Sequence, residues 1–169
     1  LTMELLIDRV PSPLGEVLVV SDGECLRALD FVEYEGRMHR LLRRHYGEVD
    51  LKPAHNPNGF SDIVERYFAG EMAIIEEVKV ATNGTAFQTL VWRHLREVPL
   101  GTTWTYGELA QRIGRPTASR AVGLANGSNP IAVVVPCHRV IGADGSLTGY
   151  GGGIDRKQWL LVHEGVNLI

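Results

Sequence analysis

Apolar and polar positions alternate in two early stretches of the chain. Residues 15–20 (GEVLVV) and 25–32 (CLRALDFV) are rich in β-branched and other apolar side chains, and the SDG sequence at 21–23 between them is typical of a turn. We therefore predict a β-hairpin over these residues. Cys25 falls inside its second strand, where we expect it to be a core residue.

The apolar spacing then changes to three and four residues. This spacing predicts helices over 37–47 and 60–70, the second with Ser61 as its N-cap. The sequence AIIEEVKV predicts another strand over 73–80. Strands and helices in one segment indicate an α+β first domain, which we place at residues 1–80.

A polar linker, ATNGT at 81–85, opens the second domain, residues 81–169. Thr85 and Gln88 have the spacing of a capping box, in which each side chain bonds the other residue's backbone N–H. The box begins an amphipathic helix that we expect to end before Pro99.

A second capping box, Thr105 with Glu108, begins a helix over 106–114, and Thr117 is the predicted cap of the next helix, 118–127. Two short helices joined by a tight turn of glycine and proline have the pattern of a helix-turn-helix, which a plain helical hairpin shares.

Side-chain size in the second of these helices favours the helix-turn-helix. Arg120 is its one long basic side chain. Most of the others are small enough for the backbone to approach a partner closely: Ala118, Ala121, Gly123, Ala125 and Gly127.

The C-terminal segment predicts a strand, a glycine-rich loop and a helix. The apolar run 131–142 (IAVVVPCHRVIG) is typical of a buried strand broken at Pro136. A loop over 143–153 contains five glycines. Asp155 is the predicted cap of a final helix that ends at Gly165.

Charge is divided unevenly between the halves. Residues 1–80 hold 9 Lys and Arg against 15 Asp and Glu, whereas residues 81–169 hold 8 against 5. The second half is therefore the part that can meet phosphate groups, although so small an excess of positive charge also fits an ordinary solvated surface.

Composition argues against a membrane protein, a secreted disulfide scaffold and a metal site. The apolar stretches are too short to cross a bilayer, and the first residues lack a signal-peptide pattern. Two cysteines, without a CxxC or HExxH motif, lead us to expect a reduced, cytoplasmic protein with no metal.

One segment carries candidate chemistry. In VPCHRV, Cys137 precedes His138, and a thiol beside a histidine is a candidate nucleophile with its base. Glu164 can orient His138, and Tyr106 can donate a hydrogen bond. Each residue also has a structural interpretation: Cys-His pairs are more often structural, tyrosines are as often core residues, and carboxylates near helix ends are usually solvated.

Taken together and in order, these motifs resemble those of the O6-alkylguanine-DNA alkyltransferases. Residues 127–165 resemble that family's active-site segment, and residues 105–130 resemble its helix-turn-helix. SPLG at 12–15 and YFAG at 67–70 extend the resemblance to the bacterial, non-regulatory members. It implies an α+β protein with an RNase H-like α/β domain followed by a mostly helical, winged-helix-like domain.

The resemblance also implies roles for single residues. Cys137 attacks the alkyl carbon on guanine O6 and keeps the alkyl group, so each molecule acts once. His138 takes the thiol proton through a water, and Glu164 holds His138. Asn129 braces the recognition helix against the active-site segment, and Tyr106 donates a hydrogen bond to the base.

DNA contacts are implied in the same way. Helix 118–126 lies in the minor groove, and Arg120 fills the space of the extruded nucleotide. The other implied DNA-contacting residues are Ala118, Ser119, Ala121 and Gly123. The implied pocket residues are Val140, Tyr150, Gly151 and Gly152.

The expected partner is double-stranded DNA containing O6-alkylguanine, with O4-alkylthymine as a second substrate. We expect a monomer in the absence of DNA, no membrane partner and no cofactor, because the substrate carries its own transferable group. Gly151 stands where the family often has serine, which predicts a roomier pocket. Some relatives hold zinc in the first domain, and the lack of a cysteine cluster here predicts none.

Three other functions compete with alkyl transfer. A lesion-binding protein of the same fold would lack the cysteine of PCHR. A cysteine hydrolase built on Cys137 would need turnover and an oxyanion hole. A transcription regulator would read bases with the second helix, where only Arg120 and Asn126 have suitable side chains.

Overall fold

The computed structural model describes residues 2–168, which form two compact units. The division falls between Asn83 and Gly84, inside the predicted linker. Each unit is described by itself. In the part of the chain described, no helix is long and apolar enough to cross a membrane.

The first unit is built on a four-stranded mixed sheet. Its strands are β1 (Met3–Val10), β2 (Val17–Ser21), β3 (Leu26–Phe31) and β4 (Val49–Pro53). The sheet order is β3-β2-β1-β4, with β1 and β4 parallel and the other pairs antiparallel.

The predicted hairpin is confirmed as β2 and β3, paired from Val17 opposite Phe31 to Ser21 opposite Leu26. The expectation for Cys25 was wrong: it lies before β3 and is only half-buried. The reason is local, because the Asp22 carboxylate accepts the backbone N–H groups of Glu24 and Cys25 and holds them in the turn.

Helices α1 (Glu35–Tyr46) and α2 (Phe60–Phe68) complete the first unit. Met38 and Leu42 of α1 join a buried cluster on the sheet with Leu5, Leu18, Val20 and Ala28. Burial of this apolar face is the main favourable term in the unit's stability.

Two details of the first unit differ from prediction. Ser61 is not the N-cap of α2, because Gly59 occupies that position and the Ser61 hydroxyl donates to Asp8 Oδ2 at 2.7 Å. The predicted strand at 73–80 is instead a 3₁₀-helix, Met72–Glu77, of which only Ile75 is buried. Of the predicted strand, only Val80 forms a bridge, with Leu26, and it is an isolated one.

The second unit is mostly helical. Its helices are α3 (Ala86–Leu95), α4 (Tyr106–Arg112), α5 (Ser119–Gly127) and α6 (Ile154–His163). Two short parallel strands, β5 (Trp104–Thr105) and β6 (Val140–Ile141), pair beside them.

Both predicted capping boxes are confirmed. The Thr85 and Thr105 hydroxyls accept the N–H groups of Gln88 and Glu108, whose side chains bond back to the capping residues. Two other predicted caps were wrong. Ala118 and Gly153 occupy the N-cap positions of α5 and α6, so that the threonine at 117 lies outside its helix and the aspartate at 155 inside.

Residues 131–140 of the apolar run at 131–142 are buried as predicted, but residues 131–139 are not a strand. Val133 has φ of 70°, a left-handed conformation that a β-branched residue rarely adopts. The run folds through turns into a 3₁₀-helix, Cys137–Arg139, and only Val140–Ile141 are extended. These turns position the candidate nucleophile.

Candidate active site

Cys137 begins the short 3₁₀-helix that follows Pro136. It is a thiol outside any disulfide and is 6% exposed. Its backbone N–H donates to the Val135 carbonyl at 2.8 Å, which fixes the turn that presents the side chain. A thiol held this way is nearly closed to solvent in the free protein.

His138 and Glu164 form a buried pair, as the sequence suggested. The imidazole Nε2 lies 2.9 Å from Glu164 Oε2, and both side chains are fully buried. The other imidazole nitrogen, Nδ1, has no hydrogen-bond partner within residues 2–168. If Nε2–H donates to the carboxylate, Nδ1 is left with a lone pair and can accept a proton.

Arg139 supplies the charge that balances Glu164. Its guanidinium donates to both carboxylate oxygens, at 2.7 and 3.1 Å, and to the Val98 carbonyl at 2.9 Å. A bidentate pair of this kind is strong and geometrically specific. Glu164 thereby fixes two consecutive residues, His138 and Arg139, directly after the nucleophile.

The electrostatics keep the imidazole neutral and the carboxylate charged. Burial lowers the pKa of His138 more than the nearby Glu164 charge raises it. Burial alone would raise the pKa of Glu164, but hydrogen bonds from His138 and Arg139, the Arg139 charge and the charge that His138 gains in acid lower it to about 2. The histidine is therefore available as a base at neutral pH.

Asn129 holds the backbone on the other side of the nucleophile. Its Oδ1 accepts the Ile131 N–H at 3.0 Å, and its Nδ2 donates to the carbonyls of Ile131 and Val135, at 3.3 and 2.8 Å. One side chain thus satisfies three backbone groups of the irregular segment that ends at Cys137. Its bonds replace the pairing that a neighbouring strand would otherwise supply.

Tyr106 and Lys157 converge on the loop between β6 and α6. The Tyr106 hydroxyl and the Lys157 ammonium both donate to the Thr148 carbonyl, at 3.2 and 2.9 Å, and Lys157 also donates to the Val140 carbonyl at 2.6 Å. Burial lowers the pKa of Lys157 to about 8. Burial raises the pKa of Tyr106, so its phenol stays a hydrogen-bond donor.

The implied pocket residues differ in exposure. Val140 and Gly152 are buried, Tyr150 is half-buried, and Gly151 is exposed on the loop. The Gly152 carbonyl accepts a hydrogen bond from Arg156 at 2.9 Å, which ties the loop to the first turn of α6.

Helix α5 presents one face to solvent. Arg120, Ala121, Leu124 and Gly127 are exposed along it, and Leu124 is 71% exposed. The other implied contact residues, Ala118, Ser119 and Gly123, are half-buried at its margin. The inner face carries Val122, Ala125 and Asn126 into the unit, so α5 connects the exposed face with the active site.

Comparison with protein families decides the identity. Residues 6–82 match the ribonuclease-like domain of 6-O-methylguanine DNA methyltransferase, and residues 86–166 match the DNA-binding domain of the same proteins. The chain belongs to the 6-O-methylguanine DNA methyltransferase family. The predicted family resemblance and two-part α+β fold class are confirmed.

Relatives within the methyltransferase family cover nearly the whole chain. The Salmonella typhimurium methylated-DNA–protein-cysteine methyltransferase is 50% identical over 99% of both chains. The protein of that name from Mycolicibacterium paratuberculosis is 58% identical over 92% of this chain and 89% of its own.

A solved structure of the methyltransferase family supports the fold. The crystal structure of Mycobacterium tuberculosis OGT in complex with DNA has a TM-score of 0.80 and 44% identity, covering 96% of this chain and 92% of that chain.

Sequence reasoning gave no active-site role to three buried polar residues in the second unit of this methyltransferase: Asn126, Arg139 and Lys157. Charged side chains are almost never fully buried unless paired, so Arg139 and Lys157 gave no reason to expect burial. The position of Arg139 directly after Cys-His was the one available signal. Within residues 2–168, no cluster of three metal-ligating side chains occurs.

Proposed function

We propose that this protein repairs DNA by moving the alkyl group of O6-alkylguanine irreversibly to the sulfur of Cys137. O4-alkylthymine is proposed as a second substrate. The observation that carries the proposal is the buried Cys137, His138 and Glu164 arrangement in a chain of the 6-O-methylguanine DNA methyltransferase family. Each molecule acts once, because the thioether product has no route back to a thiol.

The bond changes balance without a cofactor. The Cys137 sulfur forms a bond to the alkyl carbon while the bond from that carbon to O6 breaks. His138 takes the thiol proton at Nδ1 through a water, and the Tyr106 hydroxyl donates to the base as negative charge develops. A proton returns to guanine, which leaves normal guanine and S-alkylcysteine.

Glu164 and Asn129 act as positioning residues in this proposal. Glu164 fixes the imidazole through its 2.9 Å bond to Nε2, so that Nδ1 faces the proton to be removed. Asn129 holds the turns before Cys137 through the Ile131 and Val135 backbone. Because α5 ends at Gly127, Asn129 also links the DNA-facing helix to the nucleophile.

The exposed face of α5 is the proposed DNA surface. A base inside a duplex must be extruded before O6 can reach Cys137, at a cost of a few kcal/mol. Arg120 is exposed and long enough to fill the vacated space. Apart from Arg120 and Leu124, the exposed face and its margin carry only small residues, so the helix backbone can come close to the narrow minor groove. The small residues proposed to contact DNA are Ala118, Ser119, Ala121 and Gly123.

The pocket for the extruded base is formed by Tyr150, Gly151, Gly152 and Val140. Because Gly151 has no side chain, the proposed pocket accepts bulkier alkyl groups than a serine at this position would allow. We propose double-stranded DNA as the partner and, as a separate proposal, a cytoplasmic monomer when DNA is absent.

Intact-mass measurement tests the proposal directly. The protein is mixed with a duplex that carries one O6-methylguanine, and the modified peptide is mapped. A gain of one methylene on Cys137 that stops at one equivalent is the expected result. Binding to the duplex without a mass change would indicate a lesion-binding protein instead of an alkyltransferase. Repeated turnover would indicate a hydrolase.

A further inference from the structure

We propose that Asn126 is a specificity-determining residue of the base pocket, whose side-chain oxygen accepts a hydrogen bond from the exocyclic amino group of the extruded guanine. The inference rests on the proposed alkyl transfer and adds a contact to it.

The orientation of the Asn126 amide is fixed by its neighbour. Asn126 is 3% exposed on the inner face of α5, and its Nδ2 donates to the carbonyl of Cys137 at 3.3 Å. Reversing the amide would bring two oxygens together, because a carbonyl can only accept. The Asn126 Oδ1 is therefore the atom that points away from the Cys137 backbone.

That oxygen is buried and has no hydrogen-bond partner among the residues described. Leaving a buried acceptor unpaired lowers the stability of the folded state, so an unsatisfied group of this kind needs an explanation. A ligand that delivers a donor into the site supplies one.

The place of Asn126 fits a base-contacting role. The amide adjoins the candidate nucleophile through the Cys137 carbonyl, and it is close enough to the Tyr106 phenol to lower the pKa of that group slightly. The Tyr106 ring packs over α5 at Gly123, one turn before Asn126. An extruded base whose alkyl carbon faces the Cys137 sulfur and whose edge faces the Tyr106 phenol would lie next to the Asn126 amide.

The chemistry of the base selects the donor. In an O6-alkylated guanine N1 carries no hydrogen, so the exocyclic amino group is the base's remaining N–H donor. O4-alkylthymine has no N–H donor at all. An acceptor inside the pocket therefore favours guanine over thymine, because a site with an unpaired polar group discriminates against a substrate that cannot satisfy it.

Two duplexes that differ only in the amino group test the inference. One carries O6-methylguanine and the other O6-methylhypoxanthine, which lacks the 2-amino group, and the rate of methyl transfer to Cys137 is measured for each by mass. The wild type should transfer from O6-methylguanine about tenfold faster, as expected for one hydrogen bond. In Asn126→Leu, which is similar in size but has no acceptor, the ratio should fall close to one.

Matched variants separate this contact from general damage. Asn126→Asp keeps an acceptor oxygen, so the rate ratio should persist even if both rates fall. Gln111→Leu makes a comparable change at an exposed position of α4 and should keep both rates. Alkylation of Cys137 by iodoacetamide shows whether the thiol of each variant remains reactive.

A wild-type ratio near one, or a ratio that Asn126→Leu leaves unchanged, overturns the role of Asn126 while alkyl transfer stands. No methyl transfer from O6-methylguanine to the wild-type protein overturns the proposed function and this inference together.

Discussion

Glu164 is a single carboxylate that serves two neighbouring side chains. Its oxygens bond the imidazole of His138 and the guanidinium of Arg139, and all three side chains are buried. Charges taken out of water are tolerated only when they are paired and hydrogen-bonded. Glu164 therefore contributes both to the proposed reaction and to the stability of the second unit.

Glu164→Gln should destabilise the second unit by about 3–5 kcal/mol, because it leaves the Arg139 charge buried without a counter-charge. All three tryptophans, Trp92, Trp104 and Trp159, lie in this unit, so urea unfolding followed by tryptophan fluorescence reports on it selectively. Glu97→Gln is the matched control.

The Glu97 side chain is 58% exposed and lies 3.8 Å from His94, so its loss should change the unfolding free energy by less than about 0.5 kcal/mol. Equal effects of the two substitutions would show that Glu164 carries no special share of the stability.

Acid should weaken the second unit in two stages. The pKa of His138 is lowered by folding, so the unfolded chain takes up a proton first and stability falls as the pH drops below about 6.5. The pKa of Glu164 is about 2 against an ordinary 4.5, so its contribution of about 3 kcal/mol is complete above pH 4.5 and is lost towards pH 2.

Urea unfolding by tryptophan fluorescence at several pH values between 7 and 3 measures both stages. Glu164→Gln should show a shallower fall than the wild type below pH 4.5, since its amide does not titrate. Parallel curves for the two proteins would contradict the assignment. Other carboxyls with a lowered pKa, among them Asp8 and Asp22 of the first unit and Asp144 of the second, are the same in both proteins, so the difference between the two curves isolates Glu164.

At the scale of elements, the helix starts show how far a sequence pattern can be trusted. The two capping boxes, at Thr85 and Thr105, were predictable because two side chains agree on the same N-terminus. Thr117 and Asp155 were chosen as single capping residues, and a neighbouring residue occupies the cap in both helices. Reciprocal bonds specify a helix start more tightly than one side chain does.

Thr105→Ala should destabilise the second unit by about 1 kcal/mol, because α4 has only seven residues and loses its side-chain cap. Thr117→Ala makes the same chemical change at an exposed position that caps nothing, and it should stay within about 0.5 kcal/mol of the wild type. Tryptophan fluorescence during urea unfolding compares them. A larger effect at Thr117 would reverse the assignment of the caps.

The backbone conformation of the segment before Cys137 could not be predicted from its hydrophobic pattern. The apolar side chains of residues 131–135 correctly predicted their burial. They did not form the predicted strand, because Asn129 satisfies backbone groups that strand pairing would otherwise use. The left-handed Val133 depends on the same contacts. Only the position of Asn129, through the family resemblance, pointed to this arrangement.

At the scale of the whole molecule, acidic and basic residues are segregated along the sequence. The first unit holds most of the acidic residues, while the second holds the proposed nucleophile, Cys137, and the helix with Arg120. Two of the second unit's eight Lys and Arg side chains, Arg139 and Lys157, are buried at the candidate active site, so six remain for phosphate contacts. Affinity for DNA should therefore depend on the extruded base and close helix approach as well as on charge.

The last prediction concerns the protein after it has reacted. Cys137 is nearly buried, and the residues before it, 131–136, are all buried around a strained Val133, so an added methyl group has little free volume to occupy. Overpacking of a filled site costs about 1–3 kcal/mol, which corresponds to a fall in Tm of about 3–10 °C for a chain of this size. Thermal unfolding before and after one equivalent of O6-methylguanine duplex measures the fall, with DNA removed before each scan.

Cys137→Ser treated in the same way cannot form the thioether and should keep its Tm, so an equal fall in both proteins would attribute the effect to DNA exposure. An unchanged Tm in the alkylated wild type would show that the pocket accepts the methyl group without strain, as the side chain missing at Gly151 would allow.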